Sequence, residues 1–287
     1  MMGLAAVCAR VLHVYEIEGS RVMALSGVDL TIHSGEMVAL VGPSGSGKST
    51  LIALLAGLMR PSAGRITVGA YDIGRLSDAE LSRLRGTEIG VVLQGSARNL
   101  LPYVSLYRNV WLAQRRAAAT QGIELYDPEE ILDLVGLHGL GRAKPGRLTA
   151  GQRQRAALAV GIAASPGLLL VDEPTSQLDA AGRADVLAAL RAVNTKRDTT
   201  IVAVTHDVDF GSELGRVVTI RDGRVGAEGR DGQDFAVLAA DGTVQLPPEV
   251  VEGLGPGALF LVDHDKFTVR LRPESGEEPD DDDQEES

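Results

Sequence analysis

An α/β fold organised around a phosphate-binding loop is predicted by three features of this 287-residue sequence. Met37-Val38-Ala39-Leu40-Val41 is an apolar run of strand length, and the glycine-rich segment GPSGSGKST, Gly42 to Thr50, follows it directly. Leu51-Ile52-Ala53-Leu54-Leu55 then continues as a helix, giving strand, loop and helix in the order of a nucleotide-binding unit. Far downstream a second apolar run, Leu168-Leu169-Leu170-Val171, ends on two adjacent carboxylates, Asp172 and Glu173. A carboxylate at the tip of a buried strand can hold Mg²⁺, and its neighbour can activate a water.

The loop fits G-x-x-x-x-G-K-[ST] with Gly42, Gly47, Lys48 and Ser49, and Ser44, Gly45 and Thr50 complete it. Glycines let successive backbone N–H groups curl around an anion. The spacing puts Lys48 at the β/γ-phosphates as a point charge and the Ser49 hydroxyl on Mg²⁺. The helix that follows turns its positive end to the same phosphates. Lys48 is the only lysine before Lys144 in a chain that otherwise takes its positive charge from arginine.

Further motifs follow in order. Tyr15 lies upstream of the loop, Gln94 ends the run Ile89-Gly90-Val91-Val92-Leu93, and Leu148-Thr149-Ala150-Gly151-Gln152 precedes the second apolar run. Ser176-Gln177-Leu178-Asp179 follows the carboxylates, and His206 follows Ile201-Val202-Ala203-Val204. Taken together, these parts resemble the ATP-binding subunit of an ABC transporter over residues 10 to 226. The resemblance implies adenine stacking on Tyr15; a half-buried strand tyrosine is the plainer reading. It implies a metal- and γ-phosphate-sensing Gln94, with Ser49 and Asp172 as the other metal ligands. Glu173 becomes the catalytic base and His206 the γ-phosphate contact, while Lys48 neutralises the triphosphate. Thr149, Gly151 and Gln152 match the signature usually written LSGGQ, and Asp179 lies in the D-loop. In that family the signature completes the site of a second ATP-binding subunit, so a head-to-tail dimer with ATP and Mg²⁺ at its interface is expected. Ala150, where relatives carry glycine, adds a methyl at the position most open to weakened turnover.

Tyr15-Glu16-Ile17-Glu18-Gly19, Leu76-Ser77-Asp78-Ala79-Glu80-Leu81 and Asn99-Leu100-Leu101-Pro102 most resemble the macrolide-export and lipoprotein-release branch. An integral-membrane permease subunit is then the implied partner, and the cytoplasmic face of the inner membrane the implied location. A non-transport ABC ATPase, or a regulatory protein gated by ATP, is the alternative. Tyr103, Tyr107 and Trp111 recur at helical spacing in a chain only 3% aromatic. One helix face would carry all three, either as core or as a groove for a helix of the membrane partner.

The ATPase is expected over residues 1–228, a linker at 229–234, a small domain at 235–272 and a disordered tail at 273–287. The β-β-α-β-β pattern of the small domain, with Asp241-Gly242 as its first turn, resembles the AbrB-type swapped hairpin. That resemblance implies dimerisation. Lys266, Arg270 and Arg272 are outnumbered there by Asp241, Glu249, Glu252, Asp263 and Asp265, so no nucleic-acid binding is expected. Nine of the acidic residues behind the net charge of −11 lie between Pro273 and Ser287, a run that repels itself. A single cysteine, Cys8, excludes an internal disulfide. No apolar run is long enough to cross a membrane, and no signal peptide is apparent.

Overall fold

Apolar and polar residues alternate along β1 (Ala6–Ile17), which pairs antiparallel with β2 (Ser20–Ile32). Ala6 and Cys8 face the core, a bulge at Ala9 and Arg10 shifts the register, and Val11 and His13 resume the buried face. The computed structural model describes residues 3–17, 19–121, 126–230, 233–238, 242–244, 246, 258–265 and 268–273. These fall into two units, residues 1–244 and 245–287.

In the larger unit, β3 (Met37–Val41) leads through the glycine-rich loop into α1 (Lys48–Leu55). Next come β4 (Ala63–Val68), β5 (Tyr71–Asp72) and α2 (Asp78–Thr87). Helix α2 starts on a reciprocal cap, with Ser77 accepting from the Glu80 N–H and Glu80 accepting from the Ser77 N–H. β6 (Ile89–Val92) is followed by α3 (Leu106–Gln121), α4 (Pro128–Leu134) and α5 (Ala150–Gly161). The unit continues through β7 (Leu168–Asp172), α6 (Ala180–Arg197), β8 (Thr200–Val204), α7 (Val208–Leu214), β9 (Arg216–Arg221), β10 (Arg224–Arg230) and β11 (Gln233–Ala236).

One sheet has the order β2-β1-β4-β5 and the other β11-β10-β9-β3-β8-β7-β6. In the second, β9, β3, β8, β7 and β6 run parallel, while β10 and β11 add an antiparallel edge. Its central strands are covered on both sides, so they read as unbroken apolar runs rather than alternations. Leu168, Leu169, Leu170 and Val171 are fully buried, each contributing roughly 1.5–3 kcal/mol. Two cores result. One lies between the two sheets and takes in Leu51, Ile52, Leu54 and Leu55 of α1. The other joins the far face of the parallel sheet to α3, α4, α5, α6 and α7. The expected α/β class is observed. Among the described residues, no helix is long and apolar enough to cross a membrane.

Three local expectations change. Residues 229–230 and 233–236, read as linker and the start of a separate domain, form the β10–β11 hairpin, with Arg230 opposite Gln233 and Glu228 opposite Phe235. They look like a linker because an edge strand keeps polar residues. Strand β6 stops at Val92, two residues short of Gln94. Tyr103 precedes α3 and is 85% exposed, so it does not share a helix face with Tyr107 and Trp111.

Leu238 and Val244 meet in a single antiparallel bridge. Asp241, the single helix expected in the β-β-α-β-β pattern and the tail beyond Pro273 lie outside the described residues. In the smaller unit β12 (Phe260–His264) pairs antiparallel with β13 (Val269–Pro273) around a turn in which Thr268 N–H donates to the Asp265 carboxylate at 2.9 Å. Leu261, Val262, Val269 and Leu271 are exposed on this ribbon, and Arg272 pairs with Asp263.

Candidate nucleotide-binding site

Four loops leave the carboxyl ends of four neighbouring parallel strands, in the spatial order β3, β8, β7, β6. The first holds the glycine-rich loop, the second His206, the third Glu173 and the fourth Gln94. Ligands of open α/β sheets bind beyond that edge. Residues far apart in sequence therefore converge because each follows a strand whose apolar run fixes where it ends.

Gly42 and Gly47 are required for steric reasons. Gly42 has φ 145°, and a Cβ there would stand 2.1 Å from the Ile220 carbonyl oxygen. Gly47 caps α1 at φ 102°, where a Cβ would stand 2.5 Å from the Ala24 oxygen. Lys48 is the first helical residue and is buried. Its Nζ donates to the Gly42 and Pro43 carbonyls, each at 2.7 Å. Burial lowers the Lys48 pKa, while the charges of Glu173 and Asp172 oppose that shift. Ser44, Gly45 and Ser49 are exposed, so their polar groups face the open side of the loop. From behind, the β9–β10 turn braces the loop: Gly223 N–H donates to the Ser46 carbonyl at 3.1 Å. The Asp222-Gly223 pair is a turn signal, but nothing in the sequence joins it to the glycine-rich loop.

Asp172 ends β7, and burial followed by the neighbouring Glu173 charge raises its pKa, with Lys48 and Arg98 opposing. Two adjacent carboxylates in partial burial favour a cation. Glu173 has a positive φ of 48° and its N–H donates to the Val204 carbonyl at 2.9 Å. This strained turn aims its carboxylate at His206, with Nδ1 2.8 Å from Oε2. The Glu173 side chain is 13% exposed and that of His206 71%, so the pair opens outward from a buried base.

Tyr15 is half-buried, and its hydroxyl shares a hydrogen bond of 3.2 Å with Thr50 Oγ1. The His13 ring stands edge-on to it with centroids 4.8 Å apart. Gln94 is exposed, and no hydrogen bond holds its side chain among the described residues. The backbone on either side of it is bound by Asn99, a residue whose role the sequence does not signal.

Thr149, Gly151, Gln152 and Asp179 gather elsewhere. Thr149 caps α5: its hydroxyl accepts from Gln152 N–H at 3.2 Å, and the Gln152 side chain accepts from Thr149 N–H at 3.0 Å. Asp179 caps α6 by accepting from Gly182 N–H at 2.8 Å. The two helix starts touch where a Cβ on Gly151 would stand 3.2 Å from Gly182 Cα. Ala150 is the first residue of α5 and exposed, a helical position that suits alanine. Among the described residues no hydrogen bond or ion pair joins this cluster to the glycine-rich loop.

A strand-loop-helix phosphate site with a carboxylate-histidine pair at the next strand ends defines the class: a phosphate-binding-loop nucleoside triphosphatase. The ABC transporter family model matches residues 25–176. The chain is 41% identical over 209 residues to the lipoprotein-releasing system ATP-binding protein LolD of Geobacter metallireducens, covering 73% of this chain and 92% of that one. It is 37% identical to the macrolide export ATP-binding/permease protein MacB of Rhodospirillum rubrum, covering 83% of this chain but 36% of that longer protein. Among solved structures, the dimeric post-hydrolysis ATP-binding cassette MJ0796 with ADP and Pi superposes with TM-score 0.70 at 30% identity, covering 80% of this chain and 100% of that one. The chain belongs to the ABC transporter family, as an ATP-binding and ATP-hydrolysing subunit.

Proposed function

We infer that this subunit powers an integral-membrane permease of the macrolide-export and lipoprotein-release branch from the cytoplasmic face of the inner membrane, working as a head-to-tail dimer. The observation that carries the catalytic part of this reading is the line of Lys48, His206, Glu173 and Gln94 along four adjacent strand ends. The transport part rests on coverage of nearly the whole LolD relative and of only the smaller share of MacB, whose name also includes a permease.

Phosphoryl transfer depends on positioning and charge neutralisation. Lys48 would release its loop carbonyls to the β/γ-phosphates, and Tyr15 would offer its ring to adenine. Glu173 would orient the attacking water and take its proton, with His206 contacting the γ-phosphate. Ser49 Oγ, the Asp172 carboxylate and the Gln94 amide oxygen form an all-oxygen donor set that suits Mg²⁺, which is commonly held by one or two carboxylates plus phosphates. The ion would neutralise triphosphate charge there. Thr149, Gly151, Gln152 and Asp179 lie apart from the loop, which fits their completing the site of a second subunit. ATP would then close the pair, and hydrolysis would open it.

Residues 245–287 would add a second contact between copies. A two-stranded ribbon is marginal alone, and this one exposes Leu261, Val262, Val269 and Leu271. The sequence resemblance to the AbrB-type hairpin supports strand exchange, and the excess of acidic over basic residues there argues against nucleic-acid binding. Trp111, 44% exposed, and Tyr103 remain open for a permease helix. The test is purification of the tagged chain from detergent-solubilised host membranes. The reading expects an integral-membrane protein to co-purify and to be lost with Trp111→Ala and Tyr103→Ala together. Recovery of the chain alone, from membranes and cytosol alike, would count against it.

A further inference from the structure

Gln94 lies between β6, which ends at Val92, and a single 3₁₀ turn at Ser96–Arg98. One side chain closes this loop. Asn99 Oδ1 accepts from Leu93 N–H at 2.9 Å, and Asn99 Nδ2 donates to the Leu93 carbonyl at 2.8 Å and the Gly95 carbonyl at 3.1 Å. Both residues flanking Gln94 are therefore bonded to the same amide group, while the Gln94 side chain stays exposed. The rest of the loop turns back on itself, with Arg98 N–H donating to the Gly95 carbonyl at 3.1 Å. Leu100, buried at 6% exposure, anchors the residue after the clamp. Asn109 repeats the device, its Oδ1 accepting from Leu101 N–H at 2.7 Å and its Nδ2 donating to the Leu101 carbonyl at 3.2 Å and the Ser105 carbonyl at 3.0 Å. The segment from Gln94 to the start of α3 is thus tied down by two asparagines.

We propose that Asn99 is the positioning residue for Gln94: it fixes the backbone so that the Gln94 amide meets the nucleotide and its metal in one place. A side-chain amide is suited to this, because it carries an acceptor oxygen and a two-proton donor nitrogen on separate atoms, and Asn is short enough to serve a backbone six residues back. Without it the Leu93 N–H and carbonyl lose their partners, and Gln94 samples many positions. Effective catalysis depends on such placement. The proposal rests on the reading of Gln94 given above.

A double-mutant cycle on the full chain tests it, using Asn99→Ala, Gln94→Ala and the pair. Each single variant is expected to lower kcat about tenfold with less than a twofold change in KM for ATP, and to raise the Mg²⁺ concentration needed for half-maximal turnover. The pair should be no slower than Gln94→Ala alone. Amide hydrogen exchange without nucleotide gives an independent readout: residues 93–98 should exchange faster in Asn99→Ala and at the parent rate in Gln94→Ala. If Asn99→Ala misfolds, Asn99→Asp keeps the acceptor for Leu93 N–H and is expected to fold with an intermediate defect. Slow turnover of Gln94→Ala with an additive effect of Asn99→Ala would overturn the proposal alone. Full turnover of Gln94→Ala would overturn the reading of Gln94 and the proposal with it.

Discussion

Replacing Glu173 by Gln removes a charge and a proton acceptor while keeping the side chain's shape. In the structure this carboxylate sits 2.8 Å from His206 Nδ1 on a backbone turn of φ 48°. The Gln amide oxygen can still accept from His206, so the local geometry should persist. A positioned general base contributes about 10²–10⁴-fold, or about 3–5 kcal/mol of barrier. Turnover of Glu173→Gln is therefore expected to fall by that factor. Binding should be retained, because the loop glycines, Lys48 and Ser49 are untouched. Ligand present at about 100 times its Kd adds about 2.7 kcal/mol of stability. At about 2–4 °C per kcal/mol for a domain near this size, saturating ATP should raise the Tm by roughly 5–10 °C in parent and variant alike. The assays are phosphate release and thermal melting with and without MgATP. A variant that releases phosphate at the parental rate would refute the base assignment. One that loses the ATP-dependent Tm shift would show that Glu173 acts in binding instead.

Other sites give sharp outcomes. Gly47→Ala forces a Cβ against the Ala24 carbonyl, 2.5 Å away, at φ 102°; strain of about 1–3 kcal/mol should lower the Tm and abolish the MgATP shift. Asp172→Asn should separate stability from activity. Burial and the Glu173 charge raise the Asp172 pKa, so between its unfolded and folded pKa values the folded chain holds a proton that the unfolded chain has released. That makes this carboxylate destabilising as pH rises above its unfolded value. Without nucleotide, Asp172→Asn should melt higher than the parent, by a margin that shrinks as pH falls towards 4, while its hydrolysis is lost; equal melting temperatures at pH 7.5 would contradict this.

The phosphate-binding loop is legible in the sequence because each of its requirements is local. Gly42 and Gly47 have backbone conformations and neighbours that no side chain tolerates, and Lys48 lies at the helix start that places it. The convergence of Glu173, His206 and Gln94 is legible for a related reason: an unbroken apolar run announces a buried parallel strand, and chemistry follows its end. The β10–β11 hairpin was hidden because its edge position permits Arg230, Gln233 and Asp234, which read as a polar link. The role of Asn99 was hidden for a different reason. A side chain that bonds to backbone six residues earlier leaves no periodic trace. Tyr103 shows the limit of spacing arguments, since its i, i+4 relation to Tyr107 means one face only where a helix extends through both.

The central claim is that the loop of one chain and the Thr149-Ala150-Gly151-Gln152 segment of another enclose the same ATP. Ser44 and Ala150 are both exposed, and the one native thiol, Cys8, is buried with its pKa pushed up to about 12, chiefly by burial, so it stays unreactive. Ser44→Cys and Ala150→Cys can therefore be combined in the Glu173→Gln background, which holds ATP unhydrolysed, and oxidised with and without MgATP. The account predicts a covalent dimer that forms only with MgATP and only when both new cysteines are present across the pair. Cross-linking that ignores nucleotide, or a chain that stays monomeric with ATP bound, would contradict it.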